Sequence, residues 1–503
     1  FWIFLSLGLL VAGFYASRLR IENEKLIGSL SENIGHQRLL KEGSKDLQNQ
    51  IEEMKFLSSQ SVRKAEMLQR RLDLISDEDK RTSVVMEGSI NFLKKYKEKI
   101  DKDTQDLINK KTKVDEDAAN KEKEAGEIGN KVSEKFYLWL SAHQNNSTGL
   151  LTSFEGDKDI GDWGFTYDES LASIVFVKEG DFQKARDIFN FYLRAKRDSS
   201  GAFYNAYYTN DGEPAEFTVH AGPNIWLGIA ILQYSHATKD MSYVGIAKDI
   251  AKWLESITDE EGGIRGGREF GWYSIEHNFD AYAFYMMLSE LLKNEEYGLR
   301  AQNSLSWLNK NAYSKISEPV VRRGKGDSTI ATDTFAWSIT SITPKTLIDA
   351  GMDPDAIADF ALANSSVISD FRRPDGSIIK VKGFDFSKHQ NLARGGVVST
   401  EWTAQMILAL KIMAAFHASQ GDEEKAVYYY SLANEYTSEL SKMVVTSPSP
   451  VGQGDFCLPY ASHEFADTGH GWRTPKGNRT GSVAGTAYAI LAIDGFNPLR
   501  FNK

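Results

Sequence analysis

Six stretches of this chain, each long enough for a helix, are almost free of charge on every side: 167–178 (YDESLASIVFVK), 223–236 (PNIWLGIAILQYSH), 275–293 (IEHNFDAYAFYMMLSELLK), 331–342 (ATDTFAWSITSI), 400–417 (TEWTAQMILALKIMAAFH) and 482–493 (SVAGTAYAILAI). A helix that is apolar on nearly all sides has to be buried on nearly all sides. A charged amphipathic helix precedes each one, near 131–143, 182–197, 241–256, 295–313, 354–366 and 422–442, and supplies the cover. Six inner helices ringed by six outer ones predict an (α/α)6 toroid over residues 131–503. The inner helices run parallel in such a ring, so their N-termini and the loops before them gather in one crater.

The N-terminal part has a different composition. Residues 21–135 contain no proline and three aromatics (Phe56, Phe92, Tyr96), whereas residues 136–503 contain 50 aromatics. Leu39, Leu40, Leu47, Ile51, Met54, Leu57, Leu68 and Leu72 fall near heptad spacing, which predicts a coiled-coil stalk over 21–130 that self-associates. Before it, Phe1–Ser17 is an uncharged apolar run followed by Arg18 and Arg20, read as a transmembrane anchor over 1–20 that places residues 1–17 in a lipid bilayer. The expected fold class is therefore all-α: a membrane helix, a coiled-coil stalk and an (α/α)6 toroid. The expected location is membrane-anchored, with the globule periplasmic or extracellular.

Charge narrows the partners. Residues 136–503 carry 34 Lys+Arg against 45 Asp+Glu, and an acidic globule repels phosphate backbones, so no nucleic-acid partner is expected. The nine histidines show no zinc spacing, and Glu155, Asp157, Asp159 and Asp162 lack the calcium-loop pattern, so neither a metal nor a cofactor is expected. The single cysteine, Cys457, reads as a small buried side chain.

Carboxylates stand at four inner-helix starts: Asp168, Glu276 with Asp280, Asp333, and Glu401. An acidic residue in a first turn is usually a helix-dipole partner, but four beside aromatics in one crater suggest chemistry. Glycoside cleavage needs one carboxylic acid to protonate the leaving oxygen and a second carboxylate as nucleophile or base. Glu276, beside Trp272 and Tyr273, is the leading acid, since desolvation raises a carboxyl pKa; Asp168 ranks first as the second carboxylate, ahead of Asp333 and Glu401. Asp280, four residues after Glu276, shares its helical face. Sugar faces stack on aromatics, which makes Trp163, Tyr167, Trp272, Tyr273, Trp337, Trp402 and Trp472 candidates for substrate binding. His220, Asn224, His277, Asn278 and Arg323 are candidates for substrate hydroxyls, as is Asp280 if it is not paired with Glu276, while His470 and Arg473 stand in the cationic loop GHGWRTPKG, suited to a phosphate or carboxylate on a sugar.

The segments GDWGFTYDESLA, HAGPNIWLGIA, WYSIEHNFDAYA, ATDTFAW, STEWTAQM and GSVAGTAYA, taken with the six-pair pattern, resemble the six-hairpin glycosidase superfamily, with an architecture like that of family 8 endoglucanases, over about 136–503. That resemblance implies a toroid acting on a polysaccharide or oligosaccharide, most directly as a glycoside hydrolase of cell-surface or exported polysaccharide. The superfamily also includes lyases and epimerases, for which His220, His277, Tyr167 and Tyr273 offer bases and acids. A non-catalytic glycan-binding or scaffold protein of an envelope assembly is the other alternative.

Overall fold

A computed structural model describes residues 2–73, 80–314, 319–446, 456–476 and 481–502, without the side chains of 2–24, 38, 42, 80, 81 and 446. Two compact units result, residues 29–128 and residues 1–28 with 129–503. Helices α1 (Trp2–Leu72) and α2 (Lys80–Ala142) each contribute to both.

Within 29–128 the two helices lie antiparallel. Lys121 Nζ donates to Asn33 Oδ1 at 3.1 Å, Lys41 Nζ to Glu122 Oε2 at 3.3 Å, and Ser58 Oγ to Asp101 Oδ1 at 2.7 Å, while Ser44 also bonds Asp115. Leu30, Ile34 and Ile51 on one helix and Ile90, Ile100 and Ala118 on the other are buried. In place of one continuous stalk over 21–130, the chain folds back and covers an apolar seam with its own second helix, and the structure lends the expected self-association no support. The arms of this unit reach about 65 and about 75 Å, rather than the far longer span of one continuous helix. Among the described residues no helix is long and apolar enough to cross a membrane. The anchor expected at 1–20 falls where side chains lie outside the described residues, and the structure lends it no support.

The remaining helices are α3 (Thr166–Lys178), α4 (Phe182–Arg194), α5 (Ala221–Thr238), α6 (Val244–Ser256), α7 (Ile275–Leu292), α8 (Glu295–Asn311), α9 (Thr332–Trp337, continued by a π turn at Ser338–Ile342), α10 (Pro344–Asp349), α11 (Pro354–Ser365), α12 (Thr400–Ser419), α13 (Glu423–Ser441) and α14 (Val483–Asp494). Helices α3, α5, α7, α9, α12 and α14 touch in that order, and α14 returns to α3, which closes an inner ring. Helices α4, α6, α8, α11 and α13 cover it from outside, and the end of α2 covers α14, where Ser133 Oγ donates to Asp494 Oδ2 at 2.8 Å. Strands 154–155 and 481–482 pair antiparallel and stitch the first hairpin to the last.

The all-α expectation needs local correction, since short strands pair between the helices, and the longest pair is a hairpin. Ser366–Arg372 and Ile378–Phe384 form an antiparallel hairpin, turning through Pro374-Asp375-Gly376 with Gly376 at φ 89°. The first strand alternates buried and exposed residues, a period of two that distinguishes it from the helices around it.

One contact recurs around the ring. The fourth residue after the N-cap of an inner helix accepts a backbone N–H from the segment leading up to it: Glu169 from Leu151 (2.8 Å), Asn224 from Phe203 (2.9 Å), Asn278 from Ile264 (2.8 Å), Thr403 from Phe384 (2.9 Å) and Thr486 from Leu458 (3.0 Å). The two asparagines also return their amide N–H groups to backbone carbonyls, Asn224 to Phe203 and His220, and Asn278 to Ile264 and Ser274. Both are fully buried, so they latch the crater loops and do not bind substrate, contrary to expectation. Asn278→Ala strands a buried N–H and two carbonyls, and we expect a loss of about 3 kcal/mol in stability, read from the denaturant midpoint.

Candidate active site

Counting from the N-caps Phe165, His220, Ser274, Ala331, Ser399 and Ser482, the second helical residues are Tyr167, Gly222, Glu276, Asp333, Glu401 and Ala484. One turn deeper come Leu171, Trp226, Asp280, Trp337, Gln405 and Tyr488, since residues four apart share a helical face. Both layers converge on the ring axis. Tyr167 Oη donates to Glu401 Oε1 at 2.6 Å although α3 and α12 are not neighbours. Trp226 lies 5.9 Å from Trp337 and 6.0 Å from Tyr488 between ring centroids, and Trp337 Nε1 donates to Tyr488 Oη at 3.1 Å. These three rings plug the axis, so Trp337 forms the floor and is not a stacking platform.

Above the floor the carboxyls crowd together. Glu276 and Asp333 are within hydrogen-bonding contact, which requires a shared proton. Burial, then Asp333, Asp280 and Glu401, push Glu276 well above the usual carboxylate range. Asp333 is raised to about 6 by burial, moderated by Glu276, the Thr334 amide (2.7 Å) and the charge of Arg323. Glu401 is raised to about 8 by burial, although the Tyr167 phenol favours its anion; Gln405 Nε2 donates to the same oxygen at 3.0 Å. Asp168 is raised to about 7 by burial, opposed by the Ser153 hydroxyl. Asp280 is fully buried, and neither of its oxygens closes a regular hydrogen bond, although the Trp226 indole favours its anion. Glu276 alone among the five retains partial exposure.

Beside the carboxyls stands an imidazole cluster. His220 is 5.7 Å from Trp272 and 6.5 Å from His277, and Trp272 is 5.9 Å from His277. Burial pushes His220 down and His277 to about 3, so both are neutral at pH 7. Gly222 makes room for this: a Cβ there would lie 2.6 Å from His277 Nε2.

Other expected binding residues are placed elsewhere. Tyr273 faces Trp307 (5.7 Å) and the Lys325 ammonium (5.2 Å), and Trp402 is buried against Phe386 (5.0 Å) and His470 (5.6 Å). Trp163 packs beside Phe165 and Tyr208 in a small sheet. His470 bonds the Phe386 carbonyl at 2.9 Å and lies 5.5 Å from Trp472, which is exposed beside the Tyr460 phenol. Arg473 is spent on Phe465, over its ring at 4.8 Å and on its carbonyl at 3.1 Å. Lys476 donates its backbone N–H to Asp157 Oδ2 at 2.6 Å and its ammonium to Asp159, so the cationic and acidic loops neutralise each other. Among the described residues no three His, Cys, Asp or Glu side chains converge as a metal centre requires.

The sequence reading missed Gln405, Tyr460 and Tyr488. Gln405 and Tyr488 were accessible, one turn below the second-residue layer; Tyr460 comes from a loop and carries no periodic signal.

No family model matches the chain, and no curated protein does. Among solved structures it is similar to a D-mannose isomerase (11% identity, TM-score 0.54, covering 73% of this chain and 97% of that one). It is also similar to a glycosidase variant (11%, TM-score 0.51, 73% and 96%) and to a glycosidase in complex with glucose (10%, TM-score 0.50, 73% and 96%). The toroid shares its fold with these solved structures.

Raised carboxyl pKa values tie stability to pH with a definite sign. Groups that hold protons more tightly folded than unfolded contribute stability that is present below the unfolded values, 3.8 for Asp and 4.5 for Glu, and lost as pH rises through about 6 (Asp333), 7 (Asp168) and 8 (Glu401). The melting temperature should therefore fall between pH 5 and 8, and the double variant Asp168→Asn/Glu401→Gln should flatten that slope in a calorimetric pH series.

Proposed function

We propose that the crater processes sugars and that its reaction is hydrolysis of a glycosidic bond. The observation that carries this reading is the Glu276–Asp333 pair, in which burial and the facing Asp333 hold the proton of the partly accessible Glu276 well above the usual carboxylate range. Two carboxyls in hydrogen-bonding contact are too close to flank a glycosidic bond, which takes about 5 Å or about 6.5–9.5 Å between them. The pair acts as one unit: Glu276 gives its proton to the leaving oxygen as the C–O bond breaks, and Asp333 stabilises the proton before transfer. The second carboxylate is then Glu401, coupled electrostatically to Glu276 without a hydrogen bond to it. Tyr167 and Gln405 hold its Oε1 and leave Oε2 to act, in the ionised fraction that grows as pH approaches 8, as nucleophile or as the base that takes a proton from water. Asp168, first choice from sequence, couples to Glu401 and is not among the groups acting on Glu276, which suits it to orienting substrate.

The likeness to a D-mannose isomerase and the neutral His220–His277 pair favour a second reading, in which an imidazole moves a proton on a free sugar. Chromatography of products separates the two. Incubation with glycans should release reducing ends, and Glu276→Gln should cut the rate by at least about 100-fold; isomerised monosaccharide lost in His277→Asn, with Glu276→Gln active, would establish the second reading. Removing the phenol in Tyr167→Phe raises Glu401 further, so the limb of the pH–rate profile near pH 8 should move upward. Held by residues 1–20, the toroid would meet polysaccharide outside the cytosol, and protease protection in intact cells tests that location.

A further inference from the structure

The helical hairpin of residues 29–128 has two flanks of opposite character. Its seam runs along Ser58, Ser61, Leu68 and Leu72 on α1 and Met86, Ile90, Leu93, Lys97 and Ile100 on α2, all at least partly buried. In an antiparallel helix pair the residues just before the seam positions lie on the same side, because both helices are right-handed and point in opposite directions. Those residues include Leu57, Met67, Val85, Phe92 and Tyr96, with exposures of 37, 49, 65, 67 and 42%. The rings of Phe92 and Tyr96 stack in parallel, 6.1 Å apart. The charged residues on that flank are Lys64, Arg71 and Lys99, all exposed; no acidic residue occupies it over 57–71 and 85–99. The opposite flank, one residue after the seam, carries Glu66, Asp73, Glu87, Glu98 and Asp101 against Lys94.

We propose that the apolar, basic flank of this hairpin docks on an anionic lipid surface. Aromatic and aliphatic side chains interleaved with Lys and Arg suit the boundary between acyl chains and anionic headgroups, where the rings sit at headgroup level and each basic residue adds attraction to the negative surface. A second copy of the chain fits less well. Pairing like flanks would set Lys64, Arg71 and Lys99 against their own kind, and the acidic flank offers charge without large apolar groups to cover Phe92 and Met67.

The test uses the full chain, whose single native cysteine, Cys457, is buried and leaves an introduced thiol as the labelling site. Phe92→Cys and, on the acidic flank, Glu98→Cys are each labelled with a polarity-sensitive fluorophore and titrated with phosphatidylcholine vesicles with and without phosphatidylglycerol. The expected result is a blue shift from the Phe92→Cys label alone, only with phosphatidylglycerol, requiring at least tenfold more lipid when Lys64→Glu and Lys99→Glu are added. Because the label reports its own flank, insertion of residues 1–17 elsewhere in the bilayer does not mimic this result. No shift, an equal shift from the Glu98→Cys label, or an equal shift without phosphatidylglycerol overturns the proposal. A shift that follows protein concentration without lipid overturns it in favour of a second copy.

Discussion

An inner helix with no charged face can tolerate water only at its ends. That constraint organises the toroid: each of the six inner helices is covered by its two ring neighbours, by an outer helix and, at the axis, by residues from across the ring. Trp226, Trp337 and Tyr488 close the axis one and a half turns in, so space open to a ligand lies above them, at the N-terminal ends. The crater is where uncharged helices stop being buried.

The same geometry makes a dense carboxyl cluster tolerable. Each helix N-terminus presents the equivalent of roughly half a positive charge, and several parallel ones face the same small region. Side-chain cations are scarce there: Arg323 is the basic residue that acts on Asp333. Partial compensation by dipoles, combined with burial, leaves the carboxyls holding protons above their usual range without removing their acidity. A reaction that must give a proton to a poor leaving group at neutral pH needs groups in that state.

Much of the ring was legible in the sequence because its signal is periodic. Helices α5, α7, α12 and α14 are uncharged over most of their lengths, and Glu276, Asp333 and Glu401 were found because they sit at helix starts. The errors have a common physical cause: a helix start carries residues on several faces. Glu276 and Asn278 are two residues apart, yet one points to the axis and the other back to its own loop. Trp337 and Trp402 read as sugar platforms in the sequence because aromatics beside carboxylates do not reveal which side they face. The fold-back of α1 on α2 was missed because a heptad seam does not say whether its partner comes from another chain or from the same one.

The stitch between 154–155 and 481–482 bears on how the chain is made. Val483 donates its N–H to the Ser153 carbonyl at 3.0 Å, and α14 is the last of the six inner helices to be synthesised and the one that meets both α3 and α12. A nascent chain that has emerged only to about residue 480 holds five uncharged helices with a gap where the sixth belongs, and its apolar faces are open to neighbouring nascent chains. Closure of the crater and release from that hazard are one event, set by contacts more than 300 residues apart in sequence. The ring therefore completes its fold after translation of α14 rather than hairpin by hairpin, which makes its yield sensitive to chaperone holding.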